Sequence, residues 1–159
     1  MSHGELSPDV AAFWSEFLRA TGRPDDTPLL DVFHFDDNER DADLLASLVL
    51  AGTKRATASL AFEYEREGTP IPTAGDLSVV TDFAGHPLCV IETTQVDVVA
   101  FEDVDDDFAA AEGEGDGSLR HWRQAHEAYF GRVCQNLGIE MSGRMDVVCE
   151  RFEVVSPTT

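Results

Sequence analysis

The chain has 159 residues, 43% hydrophobic and 26% charged, enough for one domain that buries about 70% of its unfolded surface and too apolar for a disordered tail. Eleven Lys and Arg against 31 Asp and Glu give a formal net charge of -20. That charge repels phosphate backbones and anionic lipid at long range, so it disfavours broad nucleic-acid or membrane-surface binding and leaves a small neutral ligand as the easier partner. No apolar run approaches the roughly 18 residues of a membrane span, residues 1–5 lack the basic-then-apolar pattern of a signal peptide, and the expected location is the cytoplasm. Cys89, Cys134 and Cys149 are widely spaced inside apolar stretches with no C-x-x-C pair, and read as small buried hydrophobes.

Taken in chain order, Ser7 is suited to cap a first helix with Pro8 at its first position. Val10, Phe13, Trp14, Phe17 and Leu18 then recur at helical spacing until Gly22 supplies a stop. A second helix is predicted to begin between residues 37 and 41, to bury Leu44, Leu45, Leu48 and Val49, and to end at a left-handed Gly52. Lys54 therefore follows directly on a helix end. Residues 55–60 can extend as a strand, and the turn-rich stretch 67–76 is a loop. Residues 77–83 and 88–99 are rich in β-branched side chains and flank Ala84-Gly85-His86-Pro87, which predicts an antiparallel hairpin. Residues 101–116 carry many acids and no base, and most of that charge is expected to face water. From Ser118 a long helix is expected, with Leu119, Trp122, His126, Tyr129, Phe130, Val133, Cys134 and Leu137 on one face and Gly138 at its end. Residues 146–155 read as a closing strand. This order of helices, hairpin, helix and strand predicts an α+β fold in a single domain.

Two segments carry the chemistry. Gly52-Thr53-Lys54-Arg55-Ala56-Thr57-Ala58-Ser59 holds the one lysine of the chain, three residues from a hydroxyl, where the chain enters a sheet. Alternate side chains share a face of a strand, so Lys54 and Thr57 converge only through a turn or bulge; otherwise the segment is an exposed basic loop. A lysine beside a hydroxyl can act as its general base when desolvation lowers its pKa, or stay charged and hold a developing oxyanion.

The second segment, Glu112-Gly113-Glu114-Gly115-Asp116-Gly117-Ser118, alternates acids with glycines just before a helix N-terminus. It reads either as an acidic flexible cap or as a loop whose glycines let the backbone approach a ligand while one carboxylate points inward for proton transfer. Such a carboxylate pairs naturally with Lys54, raises the lysine pKa, and favours a charged lysine with a glutamate or water-derived base. Metal binding is not expected. His121 and His126 are five apart and diverge around a helix, and His34, Asp36 and Asp37 alternate with Phe33 and Phe35 as in a half-buried strand. Trp122 belongs to the apolar helix stripe, which leaves Tyr64, in the polar run 63–67, as the better candidate to stack on a base.

Gly52-x-Lys54-x-x-Thr57, the run Gly75-Asp76-Leu77-Ser78-Val79-Val80-Thr81-Asp82, Ile91-Glu92-Thr93-Thr94 and Glu112-Gly113-Glu114-Gly115-Asp116-Gly117-Ser118-Leu119, in this order and spacing, resemble the ASCH domain family. The resemblance covers residues 30–155, with residues 1–29 as an N-terminal helical extension of the same globular unit. It implies a PUA-like β-barrel of mixed or antiparallel strands with flanking helices and a cleft near the lysine.

Members of that family are associated with RNA or nucleoside chemistry, and small bacterial relatives include amidohydrolases that deacetylate N4-acetylcytidine using a lysine, a threonine and a glutamate. By motif position these fall on Lys54, Thr57 and Glu114, with Glu112, two residues away, as the alternative carboxylate. Those enzymes carry an arginine two residues after the threonine, where this chain has Ser59; the lost fork-shaped contact would have to come from Arg55 or Arg66. Arg55, Ser59, Tyr64, Glu112 and Ser118 are the expected substrate-binding residues. The expectation is thus a cytoplasmic hydrolase for an amide on a modified pyrimidine nucleoside, with no cofactor, no metal and no membrane partner, and with a dimer left open. A module that binds a single-stranded RNA base and a metal-independent ribonuclease are the alternatives for the same cleft.

Overall fold

Ser7 accepts a hydrogen bond from the Val10 amide and Pro8 opens helix α1 (Pro8–Thr21), which Gly22 closes in the left-handed conformation. The computed structural model describes residues 6–155, so residues 1–5, read above for a leader pattern, lie outside it. A short strand β1 (Asp31–Phe33) leads to Asn38, which caps helix α2 (Glu39–Leu50) through a bond from the Asp41 amide. The inward face of α2 differs from the one expected: Ala42, Ala46 and Val49 are buried, Leu45 and Leu48 are only half-buried, and Leu44 is exposed. Leu44 lies two residues, roughly 200° of helical turn, beyond Ala42, so small residues on the inward row send it to solvent.

Strand β2 (Ala56–Leu60) passes without a linker into helix α3 (Ala61–Glu67), which periodicity did not reveal because no α3 residue is fully buried. Strands β3 (Leu77–Thr81) and β4 (Pro87–Ala100) form the expected antiparallel hairpin. A 3₁₀ turn follows at Phe101–Asp103. Asp105 then caps helix α4 (Asp106–Glu112), and Ser118 caps α5 (Leu119–Asn136) by accepting from the His121 amide. Strand β5 (Asp146–Val154) closes the chain. Most of the acids in 101–116 do face water; Glu112 and Glu114 turn inward.

The five strands run in the order β1-β3-β4-β5-β2, with β1 parallel to β3 and every other pairing antiparallel. The β4–β5 register slips between Thr93 and Gln95, and a bulge of this kind bends the long strand, curling the mixed sheet into a half-barrel. One face carries α4 and α5, whose Phe108, Trp122 and Phe130 pack on Ala56, Leu60, Val147 and Cys149. Helix α1 buries Val10, Trp14, Phe17 and Leu18 against Leu77, Val79 and Val90, and Ala46 and Val49 of α2, together with Phe35 before it, cover Val80, Cys89, Ile91 and Phe152. All three cysteines are free and buried. Burial pushes the Cys89 thiol up to about 11 and Cys149 up to about 12, so neither offers a thiolate near neutral pH.

The end of α4 is clamped against the chain entering β2. The Arg55 amide donates to Ala111 O at 2.7 Å, and Gly113 lies so close that an added Cβ would fall 2.3 Å from Thr53 O. Its φ of +66° also suits glycine alone. Gly113→Ala should therefore cost more than the roughly 1–2 kcal/mol of left-handed strain by itself, read as a fall in the urea midpoint. A midpoint equal to wild type would show that this close approach is not needed.

Candidate functional site

Gly52, at φ 80°, ends α2, and the amides of Thr53 and Lys54 fold back onto Leu48 O at 2.9 and 3.1 Å. This turn carries Lys54 inward rather than into an exposed loop, and its side chain is 1% exposed. Nζ donates to Ala56 O at 2.8 Å, to Glu112 Oε2 at 2.5 Å and to Glu114 Oε2 at 2.8 Å. It also lies 5.2 Å from the centre of the Phe35 ring. An ammonium has three protons, and here three acceptors take them.

Glu112, the last residue of α4, is fully buried. Its Oε1 accepts from Trp122 Nε1 at 2.9 Å and from His126 Nε2 at 3.1 Å. Trp122 and His126 are one helical turn apart on α5, their rings stacked 4.2 Å centre to centre, so both present an N–H to the same oxygen. His126 Nδ1 donates to Trp122 O at 2.9 Å, and with both ring nitrogens facing acceptors the imidazole holds its second proton.

Burial works against every charge in this cluster, and the partners decide the outcome. Burial alone would lower the Lys54 and His126 pKa values, but Glu112 and Glu114 raise both above their ordinary positions. Burial would raise Glu112; Lys54 and His126 overcome it and hold that carboxyl far below the usual range. At Glu114 burial prevails, opposed by Lys54 and reinforced by Glu112, and the carboxyl is pushed up to about 7. One glutamate is thus a fixed anion and its neighbour titrates near neutral pH. The lysine stays charged.

Glu114, held between left-handed Gly113 and Gly115, faces a cavity of about 820 Å³ whose floor is the concave sheet and whose walls are α3, α5 and the loops after α1 and α3. Lys54, Thr57, Ser59, Tyr64, Glu112 and Glu114 all line it. The Thr57 hydroxyl has no hydrogen-bond partner among the described residues, while Ser59 Oγ and Tyr64 Oη lie 2.8 Å apart in a bond of their own. The cavity is within the usual size of small-molecule sites.

Two expected ligand contacts lie elsewhere. Arg55, next to Lys54 in chain that is becoming extended, projects away from the cavity and borders a separate depression with Arg151 and Glu153. Ser118 spends its hydroxyl on the α5 cap. Arg66 is exposed on α3 and does not line the cavity, so no guanidinium reaches it. Sequence reasoning missed three contributors. The apolar stripe of the α5 sequence marks Trp122 as core and the His121–His126 spacing argues only against a metal pair, although a spacing of four between Trp122 and His126 on that stripe allows a shared polar partner. Glu150 carried no signal beyond being an acid in a closing strand.

Glu112, Glu114 and His126 offer one ligand atom each within 4.8 Å of one another, a grouping with the spacing for a divalent cation. The Lys54 ammonium already bridges both carboxylates, and a metal would have to displace that charge. The donor set therefore fits an internal ammonium better than a metal.

The family profile for the ASCH domain matches residues 31–156. The chain belongs to the ASCH domain family. An ASCH domain from Lactobacillus crispatus JV V101 superposes with a TM-score of 0.88 at 35% identity, covering 99% of this chain and 100% of that one. Protein EF3133 from Enterococcus faecalis V583 superposes at 0.86 with 32% identity over 95% of this chain and 90% of its own. The hypothetical protein PH0355, at 14% identity and a TM-score of 0.51, shares the fold alone. No curated protein matches the chain. The ASCH fold is the α+β, PUA-like architecture expected from the motifs. No helix of the described residues is long and apolar enough to cross a membrane.

The pKa directions set the pH dependence of this ASCH domain's stability. Glu114 sits above its unfolded value of about 4.3, so between there and about 7 the folded chain keeps a proton the unfolded chain has lost, and stability falls as pH rises. His126 acts in the same sense: its contribution is full below its unfolded value and is lost as pH rises through its folded one. Glu112 has the opposite sign, contributing above its unfolded value and losing that contribution on acidification. Glu114→Gln should flatten the urea midpoint between about pH 5 and 7. Glu112→Ala, which removes one of the two carboxylates on a buried ammonium and the acceptor shared by Trp122 and His126, should cost about 3–5 kcal/mol at neutral pH. Equal midpoints for wild type and both variants would show that the cluster does not carry these charges.

Proposed function

We propose that this ASCH domain hydrolyses the amide of an acylated pyrimidine nucleoside, of which N4-acetylcytidine is the simplest example, in the cytoplasm. The observation that carries the reading is Lys54 Nζ bridging Glu112 and Glu114 at the wall of a cavity that Thr57 shares. A glutamate poised near neutral pH beside a fixed cation is suited to move a proton. A chain at -20 also takes an uncharged nucleoside more readily than a polyanion.

In this scheme a water held by the Thr57 hydroxyl gives a proton to Glu114 and adds to the acyl carbon. The developing oxyanion faces the Lys54 ammonium. As Glu114 gains its proton its attraction for Lys54 weakens, which releases an ammonium N–H toward the oxyanion. The bond between acyl carbon and exocyclic nitrogen then breaks, Glu114 returns its proton to the nitrogen, and a carboxylic acid and a free amine leave. Glu112, gripped by Trp122 and His126, holds the ammonium in place throughout.

A second reading, a non-catalytic module for a single-stranded RNA base, draws on the fact that all three Lys54 protons already have acceptors and that Tyr64 and Tyr129 line the cavity. It requires salt-sensitive RNA binding and no turnover. The experiment is release of free acetate from N4-acetylcytidine, run beside short RNAs with chelator present. Wild type should turn over with a rate that rises with pH through about 7, the protonation step of Glu114. Glu114→Gln and Lys54→Ala should each lose about 10²–10⁴-fold. Unchanged turnover in folded Glu114→Gln would overturn the mechanism, and RNA cleavage without acetate release would replace it with a ribonuclease.

A further inference from the structure

Glu150 of β5 stands directly opposite Thr57 of β2 in the antiparallel register, so their side chains rise from the same face of the sheet as close neighbours. Both line the cavity. Glu150 is only 8% exposed, and its Oε2 accepts a 2.7 Å hydrogen bond from the Thr93 hydroxyl. Oε1 has no hydrogen-bond partner among the described residues. The charges of Asp31 and Asp76 press on the same carboxyl, and no lysine or arginine other than Lys54 lines the cavity. Oε1 is not sealed in the fold but opens on the cavity, so a ligand that closes over it without offering a donor strands it, and one that brings a donor gains by comparison.

We infer that Glu150 is a specificity residue, which accepts the N–H of the exocyclic nitrogen of a cytosine-like pyrimidine and rejects a pyrimidine that carries a carbonyl there. The assignment rests on the nucleoside reading above and names the part of the substrate that this wall reads. Its place beside Thr57 selects the exocyclic nitrogen over the ribose: the acyl carbon under attack and that nitrogen are directly bonded, so the acceptor next to the attacking group meets the nitrogen's proton. Carboxylates accept from this cytosine nitrogen in nucleic-acid recognition for the same geometric reason. Uridine would set its O4 lone pairs against a carboxylate oxygen, and a site built around a hydrogen bond discriminates strongly against the analogue that cannot make it.

Calorimetric titration of the whole protein with cytidine and with uridine tests this, and needs no chemistry to occur. Wild type should bind cytidine about tenfold or more tightly than uridine. Glu150→Gln keeps an oxygen for Thr93 and presents an amide NH₂ that can donate to uridine O4 but cannot accept the cytidine N–H, so the ratio should fall to one or below while the thermal midpoint is retained. Equal wild-type affinities, no cytidine binding, or an unchanged ratio in folded Glu150→Gln would each overturn the assignment. The wild-type ratio decides even where the variant fails to fold. Acetate release with an unchanged ratio removes the Glu150 role alone, whereas cytidine preference without acetate release removes the hydrolase reading alone.

Discussion

A single ammonium organises this molecule. Burying a lysine is expensive unless every proton finds an acceptor, and Lys54 finds its three in different parts of the chain: the first residue of β2, the last residue of α4 and the loop that follows. Helix α4 must therefore end against the start of β2, the residue after Glu112 must be a glycine that tolerates contact with Thr53, and α5 must bring Trp122 and His126 to the far oxygen of Glu112. Much of the packing between α4, α5 and β2 follows from that one requirement.

The same requirement divides two chemically identical side chains. Glu112 and Glu114 share the lysine, but one has two further donors and no solvent while the other has the cavity on one side. Full satisfaction makes Glu112 an inert anchor. Partial satisfaction leaves Glu114 free to exchange a proton at physiological pH, the property a general acid or base needs. Environment, not residue type, assigns the roles.

Around the cluster the half-barrel supplies shape more than charge. Its concave face sets Thr57, Ser59 and Glu150 in one cavity, and the sheet curvature comes from the irregular β4–β5 register. The charged groups of the cavity wall are mostly acidic, with Lys54 and His126 each already held by a carboxylate, in keeping with the whole chain, so an anionic ligand meets opposition inside as well as outside. The Lactobacillus and Enterococcus relatives share this frame across nearly their whole length.

Helix α1, the β3–β4 hairpin, α5 and β5 were legible because each is long enough for apolar periodicity, caps and turns to agree. The pairing of Lys54 with a carboxylate in the glycine-rich loop was also legible, since a lone lysine and an acid run before a helix are visible along one dimension. Short elements were not: β1 has three residues, and α3 buries none of its residues fully. Which glutamate is sealed, which arginine points away and which α5 side chains reach Glu112 depend on segments separated by tens of residues meeting in space. Local chemistry named the candidate groups; only the closure of the tertiary fold, which sets burial and hydrogen-bond partners, decided what each of them does.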